Sequence, residues 1–196
     1  MLVRQLQLRH TDFSEEALAP LKQIEPQLLL VFASSEFLKH PECPTRLARA
    51  FPGVALVGCS TAGEIHGDSV SDHTASISAI HFDYPDFRVA TTTLANMDDS
   101  CAAGERLADE LKGAGLHNIV LLGQGVNING SALIEGIHKV FDHAICISGG
   151  LAGDGGAFQQ TFVLSPAGVS DRNIVGIGFY GEHIKLHHGS FGGWQP

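Results

Sequence analysis

Two short stretches carry the residue types from which a small-molecule site is built: Gly58-Cys59-Ser60-Thr61-Ala62-Gly63-Glu64 and Ser148-Gly149-Gly150-Leu151-Ala152-Gly153-Asp154. Each follows an apolar run, is rich in small residues and ends in a carboxylate. Successive N–H groups in a glycine-rich turn cradle an anion, and the missing side chains let a ligand approach the main chain. Glu64 and Asp154 would meet an ammonium. The pattern therefore points to a zwitterionic, amino-acid-like ligand touching Ser60, Thr61, Gly63, Gly149 and Gly150. A third stretch, Gly125 to Ser131, joins strand to helix, where Asn127 and Asn129 can add donors at a helix N-terminus. It lacks the Lys-Ser/Thr ending of a phosphate loop and is not G-x-G-x-x-G. The plainer alternative is that these glycines serve only tight turns and close strand packing.

A hydroxyl or thiol at a strand-to-turn junction is where hydrolases place a nucleophile, so Ser60, Thr61 and Cys59 form an enzymatic alternative. Against it, the spacing is not G-x-S-x-G, and no His/Asp pair marks a triad. The chain has 11 histidines but no H-E-x-x-H pattern. One neutral imidazole in an apolar pocket suffices to ligate haem. His66 and His73, just past the first glycine stretch, are the nearest candidates for the iron.

The elements that must position these residues are short. Ser14 caps a helix reaching about Ile24, Leu28 to Ala33 and Val54 to Ser60 read as buried strands, and Pro44 to Phe51 ends a helix. Thr74 to Phe82 alternates as a strand, and Phe87 to Leu94 follows the Tyr84-Pro85-Asp86 turn as its expected hairpin partner. Helices are expected at Cys101–Lys112 and Ser131–Phe141, and strands at Ile119–Leu122, Ala144–Ser148, Gln160–Leu164, Ile174–Tyr180 and His183–His188.

The halves also match at a constant offset of 90 residues, Leu29 with Ile119, Phe51 with Phe141, Gly63 with Gly153 and Glu64 with Asp154. The expectation is a single α/β domain over 1–196, built from two repeats at about 10–95 and 100–193. It would be a layered pseudo-twofold sandwich of mixed sheets with flanking helices, its sheets facing across a glycine-lined pocket.

Composition limits the function. The 196 residues carry 12 Lys+Arg against 21 Asp+Glu, a net charge of -9. Phosphate contacts need clustered cations, so nucleic acid and anionic membranes are excluded as partners. The longest apolar runs are strand-sized and the N-terminus has no secretory signal, which suggests a cytoplasmic protein. Four widely spaced cysteines suggest reduced thiols.

The ordered set Gly58 to Ile65, Gly125 to Ser131, Gly149 to Asp154, Val175 to Gly181 and Gly189 to Pro196 resembles the N-terminal domain of the FIST family, bacterial and archaeal sensory proteins of signal transduction. The resemblance implies a non-enzymatic sensor of a small ligand such as an amino acid. One branch binds haem, senses nitric oxide and regulates a histidine kinase, which makes haem a candidate cofactor and a kinase a candidate partner; apart from the resemblance, a homo-oligomer is a candidate assembly. Family proteins continue into a C-terminal FIST domain, and this sequence stops about where that linker would begin. Gln124 stands where an acidic residue is expected.

Overall fold

The computed structural model describes residues 1–9, 14–187 and 189. His10 and His188, and the Ser190 to Pro196 part of the family resemblance, lie outside them. The chain opens with β1 (Leu2–Arg9), α1 (Glu15–Lys22), β2 (Leu28–Ala33), α2 (Ser35–Lys39), α3 (Glu42–Ala50) and β3 (Ala55–Ser60). A hairpin of β4 (Glu64–His66) and β5 (Ser69–Ser71) follows, then β6 (Thr74–His81). The rest of the chain is β7 (Phe87–Thr93), α4 (Ser100–Leu111), β8 (Leu116–Gly123), α5 (Gly130–Phe141), β9 (Cys146–Leu151), the hairpin β10 (Val163–Ser165) and β11 (Gly168–Ser170), and β12 (Asn173–Tyr180).

These elements form a mixed α/β layered fold. One sheet has the order β1-β6-β2-β3-β10-β11, a second β7-β12-β8-β9, and β4-β5 stands apart. β1-β6-β2-β3 and β7-β12-β8-β9 share order and direction: an antiparallel pair, a second antiparallel step, then a parallel step. Continuous apolar runs such as Leu28–Ala33 suit strands covered on both faces. One core lies between the first sheet and α1–α3, around Leu21, Phe37, Leu47 and Ile77. Another lies between the second sheet and α4–α5, around Leu107, Ile119, Leu133 and Ile137. The third lies between the sheets and contains Leu28, Val57, Leu122, Val163, Val175 and Phe179. The space between the sheets is thus packed core, which corrects the expected pocket there. No helix among the described residues is long and apolar enough to cross a membrane.

Three further expectations differ from the structure. β7 is not the hairpin partner of β6 but pairs with β12, Phe87 opposite Phe179 and Thr93 opposite Asn173. Residues 183–187 form no strand. The offset of 90 also fails after α5. A Cβ on Gly58 would lie 1.9 Å from Val31 O, and one on Gly149 1.9 Å from Leu121 O, so these two glycines hold equivalent places 91 residues apart. Thr61 N donates to Ala33 O at 2.9 Å and Ala152 N to Gly123 O at 2.8 Å, which continues the same register. The extra residue falls in the turn after α5, where Asp142 and His143 are both left-handed (φ 46° and 57°). Glu64 therefore corresponds in place to Gly155, one residue beyond Asp154.

Candidate functional site

In open α/β sheets ligands gather beyond the carboxyl ends of parallel strands. The C-terminal ends of β2 and β3 meet such a recess, of about 480 Å³, lined by Glu36, Thr61, Gly63, Asp72, His73 and Asp154 among others. The two glycine turns touch here: Gly153 N donates to Ser60 O at 2.8 Å. Four of the sequence-singled residues, Thr61, Gly63, Glu64 and Asp154, line the recess together with His73.

Their partners define what each can do. Glu64 is 1% exposed. Its carboxylate accepts from Thr61 Oγ1 at 2.8 Å, from Thr74 N at 3.1 Å and from Thr74 Oγ1 at 3.1 Å. It is a buried strut tying the first glycine turn to the start of β6. Asp154 accepts from the N–H groups of Phe158, Gln159 and Gln160 at 3.0, 2.7 and 3.2 Å. The Gln159 N–H, with those of Phe158 and Gln160, holds its carboxyl below the usual aspartate value. The lowered folded value means that this contribution is complete above the ordinary aspartate pKa and is lost as pH falls through the folded one. The Gln159 amide resonance is thus expected to keep its position through neutral pH and to shift only below about pH 4.

Two acidic residues that the sequence reading passed over complete the recess. Glu36 Oε2 lies 3.0 Å from His73 Nδ1, on a histidine side chain 71% exposed. Asp72 lies beside Gly63, with Oδ1 3.8 Å from the place of a Cβ there. Among the described residues its carboxylate has neither hydrogen bond nor ion pair. No lysine or arginine lines the recess. The position of Ser34-Ser35-Glu36 directly after an apolar strand was the signal available in the sequence.

The other candidates stand elsewhere. Ser60 is fully buried and its Oγ accepts from Phe162 N at 2.9 Å, fastening β3 to the loop before β10. Gly149 and Gly150 lie on β9, away from the recess. Asn127 lines a separate recess of about 270 Å³ with Gln124 and Arg172. Asn129 caps α5, accepting from Ala132 N at 3.0 Å. Gln124, buried, accepts from Val126 N at 2.9 Å and Asn127 N at 3.2 Å, so an amide organises this loop where an acid was expected. His66 ends β4 outside the recess.

Neither nucleophilic chemistry nor haem finds a matching donor set. Burial pushes the Cys59 thiol up to about 12, far from a reactive thiolate. The hydroxyls of Ser60 and Thr61 are engaged structurally, without an imidazole partner. Haem needs an imidazole facing an apolar slot. His73 faces carboxylates, and the apolar groove of about 500 Å³ beside β9, lined by Leu133, Ile134, Ile147, Leu151 and Gly189 among others, has no imidazole among its described residues. No group of three or more metal-binding side chains occurs among the described residues. Among the described residues, neither the acidic recess nor this groove offers haem an imidazole facing an apolar slot.

Comparison with known proteins gives one positive result. No curated protein matches the chain. The family model of the FIST N domain matches residues 27–196, from the start of β2 through both glycine turns and β12. That span includes the recess and both parallel strand pairs, and the chain belongs to the FIST family, whose domains are sensory modules of signal transduction.

Proposed function

We propose that this domain senses a small ligand carrying a positive charge, an amine or an amino acid presented by its ammonium end, in the recess at the ends of β2 and β3. The observation that carries this reading is the acidic lining: Glu36, Asp72 and Asp154 converge with no lysine or arginine to neutralise them, and Asp72 has no partner among the described residues. Glu64 and Thr61 hold the wall, and Asp72 and Glu36 meet the ammonium. The walls come from the segments that follow β2 and β3, the β5–β6 turn and the loop after β9, so a ligand drawing Asp72 toward Asp154 changes the surface around the β4-β5 hairpin. A separate signalling protein, by family resemblance a histidine kinase, reads that surface. Cys59 and Cys101 form no disulfide, which suits the cytoplasm.

A thermal-shift screen of amines, amino acids and carboxylic acids tests the reading. A cationic ligand at 100 times its Kd is expected to stabilise by about 2.7 kcal/mol. Asp72→Asn is expected to weaken that ligand about tenfold, the scale of one charge-assisted contact, with little change in the ligand-free Tm. Ligands that are all anionic, or a cationic hit indifferent to both Asp72→Asn and Glu36→Gln, would overturn it.

A further inference from the structure

The repeat that builds the fold also builds a second recess. In the ladders Ala33 lies opposite Ala75 and Gly123 opposite Ile174, so the chain just past β8 and just before β12 matches the chain past β2 and before β6. Ser34 N donates to Thr74 O at 3.0 Å, and Gln124 N to Asn173 O at 3.3 Å. Gln124 thus stands in the place of Ser34, Asp171 in that of Asp72 and Arg172 in that of His73. Ser34, Asp72 and His73 line the acidic recess, and Gln124, Asp171 and Arg172 line the one of about 270 Å³ at the end of β8.

The same places carry different chemistry. His73 meets Glu36, two residues past Ser34, whereas the residue two past Gln124 is Val126, which has no charge to offer Arg172. The Arg172 side chain is exposed and its guanidinium has neither hydrogen bond nor ion pair among the described residues. Asp171 beside it is already engaged, its Oδ2 accepting from Gln160 Nε2 at 2.8 Å. Gln124 is only 4% exposed, and its Oε1 accepts from Val126 N at 2.9 Å and Asn127 N at 3.2 Å. Both of those groups are donors, so the oxygen must face them and the NH2 must point away. That nitrogen has no partner among the described residues, yet it is not one of the side-chain atoms shut off from solvent without one. It opens on the recess that Gln124 lines.

A nearly buried amide donor without a partner, beside a free guanidinium, calls for a ligand that accepts hydrogen bonds and carries negative charge. The planar fork of an arginine matches the two oxygens of a carboxylate. Leu94 and Met97 line the same recess and offer apolar surface to a short alkyl chain, and the volume admits only a small molecule. We propose that this second recess binds a small carboxylate, its oxygens on the Arg172 guanidinium and the Gln124 NH2 and its alkyl end against Leu94 and Met97. The recess at the ends of β2 and β3 and the recess at the end of β8 then take ligand groups of opposite charge. The carboxylate site stands on its own residues, whether or not the acidic recess binds a cation.

Titration with sodium propionate against sodium chloride at equal ionic strength, followed by NMR, tests this. The expected result is a saturable shift of the Gln124 NH2 and Arg172 Nε–H resonances on one binding curve, with propionamide, the uncharged analogue, at least tenfold weaker. Arg172→Gln is expected to weaken propionate at least tenfold. Gln124→Glu should do the same, because it keeps an acceptor for Val126 N and Asn127 N but sets a like charge where the donor was. Asp72→Asn should leave propionate binding unchanged, which separates this site from the acidic recess. No saturation up to about 100 mM, a generous limit for so few atoms, overturns the proposal. So does propionate binding that is indifferent to either variant in this recess or is lost with Asp72→Asn. If Gln124→Glu does not fold, the Gln124 NH2 resonances of the unaltered chain decide: movement with propionate supports the site, and stationary resonances overturn it.

Discussion

Gly136→Ala is expected to destabilise the domain by about 3 kcal/mol, read from the urea midpoint, although alanine is the better helix former by about 1 kcal/mol in an open helix. The reason is the approach of α4 and α5. A Cβ on Gly136 would lie 2.0 Å from Cys101 O, and one on Gly104 2.2 Å from Leu133 O. Both obstacles are backbone, which no rotamer change removes. The helices must move apart, loosening Leu107, Leu133 and Ile137, all fully buried between them and the second sheet. Gly150→Ala is the control: with open space at its Cβ it is expected to change stability by less than about 0.5 kcal/mol. Equal effects from the two substitutions would refute the packing argument.

Glu64→Ala is expected to cost about 3–4 kcal/mol of stability without ligand. It removes the acceptor for the Thr74 N–H, the Thr74 hydroxyl and the Thr61 hydroxyl, and a buried donor left unpaired costs about 1–3 kcal/mol. The hydroxyls can rotate toward other acceptors. The Thr74 N–H cannot, and Thr74 is itself buried. Glu64→Gln keeps an oxygen for Thr74 and offers an NH2 to the Thr61 hydroxyl, which can turn to accept it, so most of the loss should be recovered. A side chain whose sole task was to hold a ligand ammonium would behave in the opposite way, with both variants folding normally and both losing affinity. Chemical denaturation beside ligand titration separates the two roles.

The parts legible in the sequence were those whose cause is local. Leu28–Ala33 is apolar throughout, and Ala55–Ser60 up to its last residue, because both faces are covered, and Ser14 and Asn129 cap the helices that follow them. Pairing across the chain was not legible. Tyr84-Pro85-Asp86 is a good turn whatever strand follows, yet β7 leaves β6 for β12, a strand buried along its whole length. The single-residue slip at Asp142–His143 is silent in composition, and it was enough to set Glu64 and Asp154 out of equivalence. In the recess, the glycine turns announced themselves by type. Glu36 and Asp72 did not, because each looks like an ordinary surface acid until two loops bring them to one wall.

The hairpin that closes the first sheet also sets a timetable. Ser60 Oγ waits for Phe162 N, 102 residues further along the chain, and β10 seals β3 against which β2 is already laid. During synthesis from the N-terminus the first sheet can assemble β1, β6, β2 and β3, but its apolar edge stays bare until nearly the whole domain has emerged. Contacts so distant in sequence slow folding, and a bare edge in a crowded cell invites aggregation. The ribosome thus leaves bare, until 102 further residues have followed Ser60, an edge that the finished molecule covers.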